Sequence, residues 1–132
     1  MKHKTISVNT VKHTQFVDIT SEAEAFLKEL DVKDGVLYIY SKHTTAGIVI
    51  NENESGLLKD LEKMVDKLIP KGGGYEHDRI DDNTHSHLRT ILCGESKIVH
   101  IVEGRLQLGT WQRIFLAEFD GPRQRGVLLV AG

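Results

Sequence analysis

Seven histidines in a chain of 132 residues are the chief chemical resource of this sequence, because imidazole both ligates transition metals and titrates nearest neutrality. They fall largely into clusters with other reactive side chains. One cluster is His43-Thr44-Thr45-Ala46-Gly47 followed by Asn51-Glu52. A second is Tyr75-Glu76-His77-Asp78 followed by Asp82-Asn83-Thr84-His85-Ser86-His87. A third, without histidine, is Gly109-Thr110-Trp111-Gln112, with Glu118 and then Asp120-Gly121-Pro122-Arg123-Gln124-Arg125. Each sits where a regular element is expected to end, which is where scaffolds present functional groups.

The chemistry open to each cluster depends on which way its side chains face. His43 has the strand parity of Leu37 and Ile39, and Glu52 that of Ile48 and Ile50, so both are predicted partly inside. An ordinary loop of ST-turns, with His43 satisfied by a backbone carbonyl, is the plainer alternative. On a helix the two histidines of His85-Ser86-His87 point roughly 200° apart, which argues against one shared metal. With Thr84 as N-cap, His87 lies beside Leu88 and Ile91, towards the core, and His85 towards solvent. Asp81 and Asp82 then complement the helix dipole. Gln112 and Glu118 share parity with Ile114 and Leu116, so two polar groups need partners among apolar ones. Arg123 or Arg125 can pair with Glu118 or grip a phosphate through a bidentate fork; a turn at Gly121-Pro122 with solvated arginines is equally compatible. Trp111 reads as a core or interface anchor. Gly72-Gly73-Gly74 has no following G-K-[ST] and reads as a loop. No G-x-S-x-G elbow or paired C-x-x-C motif is present, which removes the commonest hydrolase and zinc-finger readings.

The elements that must carry these clusters follow from periodicity. Thr5–Asn9 and Gln15–Ile19 alternate as strands and suggest an N-terminal hairpin. Ser21 and Glu24 form a capping box for a short helix that packs Phe26, Leu27 and Leu30 and stops by Asp34-Gly35. Residues 36–40 and 47–50 are apolar on both parities, as in strands covered on two faces. Leu57, Leu58, Leu61, Met64, Val65 and Leu68 mark an amphipathic helix ended by Pro70. A third helix is expected from Thr84 to Gly94, and strands at 98–102, 106–108, 112–119 and 125–130 complete the chain. About seven strands with two or three helices predict a single α+β domain over residues 1–132, with antiparallel pairing in two packed sheets.

Composition narrows the function classes. An apolar fraction of 39%, a charged fraction of 27% and a net charge of −2 describe a globular chain without a basic stripe, so neither nucleic acid nor a membrane is expected as partner. The N-terminus shows no export signal, and a single cysteine, Cys93, allows no internal disulfide; a reducing, cytoplasmic setting is expected.

Taken together, four blocks resemble the YjbQ family, whose named activity is a secondary thiamine-phosphate synthase. They are His43-Thr44-Thr45-Ala46-Gly47 with Asn51-Glu52-Asn53, Gly74-Tyr75-Glu76-His77-Asp78, Ser86-His87-Leu88, and Gly104-Arg105-Leu106 running into Leu108-Gly109-Thr110-Trp111-Gln112. The resemblance spans nearly the whole chain. It implies a small β-sandwich carrying helices, assembled as a homotrimer, with a catalytic and metal or anion site at His43, His77 and His87. It also implies Glu52 as an orienting or acid–base group, and substrate contacts from Thr44, Thr45, Asn51, Gln112 and Arg123. The implied reaction joins hydroxymethylpyrimidine diphosphate to thiazole phosphate, with zinc on the histidines or magnesium on the diphosphate, and is expected as a side activity. A zinc hydrolase of a small ester or phosphate, with Glu52 as general base, and a non-catalytic trimeric binder of a phosphorylated molecule are the rival expectations.

Overall fold

The computed structural model describes residues 1–132 as eight strands and three α-helices. Strands β1 (Lys2–Asn9), β8 (Gln124–Ala131), β3 (Gly35–Ser41), β5 (Ser96–Val102) and β6 (Arg105–Leu106) form one sheet in that order. Strands β2 (Gln15–Asp18), β7 (Gln112–Glu118) and β4 (Ala46–Glu52) form the other. Every pairing is antiparallel. The expected two-sheet α+β sandwich is therefore present, and each of its eight strands overlaps a span read from the sequence.

The core lies between the sheets. Leu37, Ile39, Val127 and Leu129 of the larger sheet meet Ile48, Ile114 and Leu116 of the smaller, and Ile19, Ala23, Phe26 and Leu27 close one end. These are the alternate positions of each strand, as the period-2 pattern requires. The far side of the smaller sheet is covered by helices α2 (Ser55–Leu68) and α3 (Thr84–Cys93), where Val65 packs with Ala117 and Phe119. No helix is long and apolar enough to cross a membrane.

The structure corrects several expectations. The first two strands do not form a hairpin: β1 pairs with β8 and β2 with β7, in different sheets. The chain crosses between sheets at residues 10–14, where Thr10 N–H donates to Arg123 O and the His13 carbonyl accepts from Gly121 N–H. Strand β8 pairs with all eight residues of β1, where a hairpin with the four-residue β2 could pair only four. Of β3 and β4, both expected to be covered on two faces, only β4 is, and β7 joins it with Ile114, Phe115, Leu116, Ala117 and Glu118 all buried. Tyr38 and Tyr40 of β3 are each 38% exposed, with Ile98 and Val102 of β5 also open to solvent, so the larger sheet leaves an apolar face uncovered. Helix α1 (Thr20–Lys28) starts without the predicted capping box; Asp18 Oδ1 instead accepts from Thr20 N–H at 3.0 Å. Strand 106–108 shrinks to Arg105–Leu106, pairing with β5 as a hairpin whose turn puts Glu103 and Gly104 at positive φ, 51° and 76°.

Candidate active site

The His43 loop is built from the end of β3. The Ser41 hydroxyl donates to Ala46 O at 2.7 Å and accepts from His43 N–H at 3.3 Å, closing residues 41–46 into a tight turn. Beneath it, Glu118 is fully buried and forms a bidentate ion pair with buried Arg125, while Thr10 Oγ1 donates to Glu118 Oε1 at 2.7 Å. Burial raises the Glu118 carboxyl's pKa, but the hydrogen bonds from Arg125 and Thr10 outweigh it and hold the net value below the usual carboxylate range. Arg125 Nη2 also donates to Thr45 Oγ1 at 2.8 Å. The sequence requirement that Glu118 find a partner is met by Arg125, and Thr45, expected to contact substrate, is 6% exposed and tied to that arginine.

His43 is half-buried, and its Nε2 accepts the Gly126 N–H at 2.9 Å. That bond settles the neutral tautomer: the proton sits on Nδ1, which makes the ring a donor. Burial and the nearby Arg125 charge lower the His43 pKa, so the ring is neutral at pH 7. Across a cleft of about 310 Å³, lined also by Tyr40, Lys42, Thr44, Thr90 and Glu95, stands His87 of α3. His77, on a 3-10 turn over Glu76–Arg79, packs edge-to-face on His87 with ring centroids 4.9 Å apart. The three histidines thus gather around one end of the molecule.

Helix α3 reaches that position against the sequence reading of its faces. Ser86, Arg89 and Thr90 are buried, whereas Leu88, Ile91 and Leu92 are 36%, 75% and 57% exposed. His87 is half-buried beside the cleft, and His85, expected in solvent, is 1% exposed. The inner face is polar because it has partners. Ser86 Oγ donates to Phe119 O at 2.5 Å, and Arg89 donates from Nε and Nη2 to Ile69 O and pairs with Asp66 at 3.0 Å. His85 Nε2 lies 2.8 Å from His13 Nε2. Asp78, not Asp81 or Asp82, serves the helix start, accepting Thr84 N–H and Oγ1–H. The C-terminal end approaches β4 so closely that a Cβ on Gly47 would meet Gly94 O at 2.6 Å, which explains the glycine in the His43 block.

The remaining candidates are elsewhere. Glu52 pairs with Gln112 at the opposite end of β4 and β7, six residues from Ala46, or about 20 Å along a strand. Asn51 caps Glu52 N–H, and Glu52 borders an apolar groove beneath α2. Gln112 faces a larger cavity beside α1. Arg123 bonds Asp120 through Nε and Nη2 at the turn whose Gly121–Pro122 bond is cis. Lys42 and Glu95, which no pattern flagged, complete the cleft: a lone lysine beside a histidine carries no periodic signal.

A zinc cage is not what these donors make within one chain. His43 presents Nδ1–H where a ligand needs a lone pair, and no three His, Cys, Asp or Glu side chains lie close enough together to hold an ion.

The family model described as "UPF0047 protein YjbQ-like" matches residues 4–131. A UPF0047 protein of Archaeoglobus fulgidus is 44% identical over 126 residues, covering 96% of this chain and 98% of that protein. YugU of Bacillus subtilis is 43% identical, with 92% of each chain covered. Among solved structures, a hypothetical protein from Aeropyrum pernix superposes with a TM-score of 0.97 at 38% identity, covering 100% of this chain and 98% of that one. A YjbQ/UPF0047 protein from Clostridium acetobutylicum gives 0.94 at 40% identity, covering 98% and 99%. With the family model spanning nearly its full length and relatives above 40% identity across both sheets and all three helices, this chain belongs to the UPF0047, YjbQ-like family.

Proposed function

We propose that the histidine cleft binds a diphosphate and catalyses an alkyl transfer of the thiamine-phosphate synthase type, as a side activity of the domain. The observation that carries this reading is the convergence of His43, His87, Lys42 and Thr44 on one cleft, with the Nδ1–H of His43 as a fixed donor. Donors aimed at a departing diphosphate stabilise the charge that develops as it leaves. In the reaction, the thiazole nitrogen lone pair forms a bond to the methylene carbon of the pyrimidine. The carbon–oxygen bond to diphosphate breaks, and pyrophosphate leaves with that electron pair. Lys42 neutralises charge, His43 and His87 hydrogen-bond the phosphate oxygens, and His77 holds the His87 ring. Magnesium enters only as the diphosphate's counter-ion.

On this reading the domain works in the cytoplasm as a homotrimer. The uncovered face bearing Tyr38, Tyr40 and Ile98, with Ile91 and Leu92 of α3 beside the cleft, is the kind of apolar patch that marks a protein interface. Assembly would also give Glu52 a route to the histidines of a neighbouring copy, since its own are about 20 Å away.

The test is thiamine-phosphate formation by native protein and by His43→Ala and His87→Ala variants, with elemental analysis of each. Product formed without bound zinc, and reduced on the order of 10²-fold in either variant, is the expected result. Stoichiometric zinc that disappears with His87→Ala, together with ester hydrolysis, would replace this reading by the zinc hydrolase. Thermal stabilisation by diphosphate without turnover would reduce the domain to a binding protein.

A further inference from the structure

A cavity larger than the histidine cleft lies away from the histidines. It holds about 510 Å³ between α1 and the loop joining β6 to β7, a volume within the range of small-molecule sites. Thr20, Glu24, Leu27 and Lys28 supply one wall, at the i, i+4, i+7 and i+8 positions of a single helical face. The other wall is a loop held by backbone hydrogen bonds. Gly104 N–H donates to Lys33 O and Gln107 N–H to His100 O, both at 2.8 Å, while Gly109 N–H donates to Gln112 Oε1 at 2.8 Å and Gln112 N–H returns to Gly109 O at 3.1 Å. A cavity with preformed walls binds without a large ordering cost.

Its polar groups are mostly donors. Arg113 is already paired with Asp18 at 2.8 Å, but neither Arg105 nor Lys28 has a carboxylate partner. Gln112 uses its oxygen on Gly109, which leaves its amide NH₂ free to donate. The Thr110 hydroxyl has no protein partner, and Glu24 is the only acidic side chain of the lining. Two unpaired cations and two neutral donors match the charge and oxygen count of a phosphate monoester, with the guanidinium fork as its natural grip. Leu27, Leu106 and Leu108 give the cavity an apolar floor for the rest of such a molecule.

We infer that this cavity is a second ligand site, distinct from the histidine cleft, which takes a small organic phosphate: the phosphate on Arg105 and Lys28, the organic group on the three leucines. The inference does not depend on the reaction proposed for the histidines. Titrating the full-length protein with phenyl phosphate, by calorimetry and by amide chemical shifts, tests it. Expected are shifts centred on Gly104 and Gly109, binding that is about tenfold weaker in Arg105→Ala, the equivalent of one charge-assisted hydrogen bond, and unchanged binding in His87→Ala. Binding equal to native in Arg105→Ala, its loss in His87→Ala, or no binding at all would overturn the site. So would a fall in solution mass on Arg105→Ala, which would mean that an acidic side chain of a second copy fills the cavity.

Discussion

Helices α2 and α3 cover the same face of the smaller sheet, yet they turn opposite surfaces to it. From α2, Val65 is buried against Ala117 and Phe119, and Leu57, Leu58 and Leu61 border Val49 and Phe115. From α3 come Ser86, Arg89 and Thr90, while Leu88, Ile91 and Leu92 look outward. Both helices are amphipathic, and the period of each is plain in the sequence. The difference teaches that periodicity identifies the apolar stripe but not its destination. A polar stripe can face inward when a close backbone approach and specific acceptors await it, as Phe119 O and Ile69 O do here. An apolar stripe left outside then asks for a partner chain.

The largest effect expected from this contrast is at Arg89. Arg89→Ala leaves Ile69 O without its two donors and removes the pairing with Asp66, so stability measured by urea unfolding should fall by roughly 2–3 kcal/mol, the range for hydrogen bonds from a charged group. A change near zero would mean that the inward polar face of α3 is tolerated and not stabilising. On α2 the counterpart is Val65→Ala, where two lost methyl groups and the residual cavity should cost about 2 kcal/mol in the same assay. Should Val65→Ala prove silent, α2 is not docked through its apolar stripe.

His85 sharpens the comparison through pH. Burial lowers its pKa below the ordinary imidazole value of 6.5, aided by the charges of Arg89, His13 and Lys71 and opposed by Asp120. The folded state therefore favours the neutral ring. Its contribution is fully present above about pH 6.5 and is lost as pH falls through the folded value, because the unfolded chain takes up the proton more readily. Unfolding midpoints between pH 7 and pH 5 should fall more steeply for the native protein than for His85→Asn, and parallel curves would remove His85 from the acid response. The smallest effect on the fold is at Ile91, 75% exposed. Ile91→Glu should leave the subunit's own stability within about 0.5 kcal/mol but shift the light-scattering mass towards the 14.8 kDa of one chain. An unchanged mass would exclude that stripe from the assembly surface.

The same distinction governs how much of the candidate site could be read before folding. Neighbours in sequence stay neighbours, so the His43 loop emerged from its own residues. Glu118 announced by parity that it needed a partner, though only the β8 register chose Arg125 over Arg123. Glu52 and His43 look like one cluster in sequence because eight positions separate them. Their separation in space was hidden because β4 is extended, and an extended strand carries its two ends apart at about 3.3 Å per residue.

The family, the two-sheet α+β class, the α2 and α3 spans to within a residue or two, and the gathering of polar residues at element ends were all legible in the order of residues. All of these rest on local spacing: turn chemistry, the periods of 2 and 3.6, and blocks of consecutive residues. Contacts between distant segments were needed to part β1 and β2 into separate sheets, to bury the polar face of α3 with His85, to put the His43 proton on Nδ1, and to bring Lys28 and Arg105 to one cavity. Each of those depends on which distant backbone groups and charges come within reach, because burial and hydrogen bonding are settled between segments far apart in the chain.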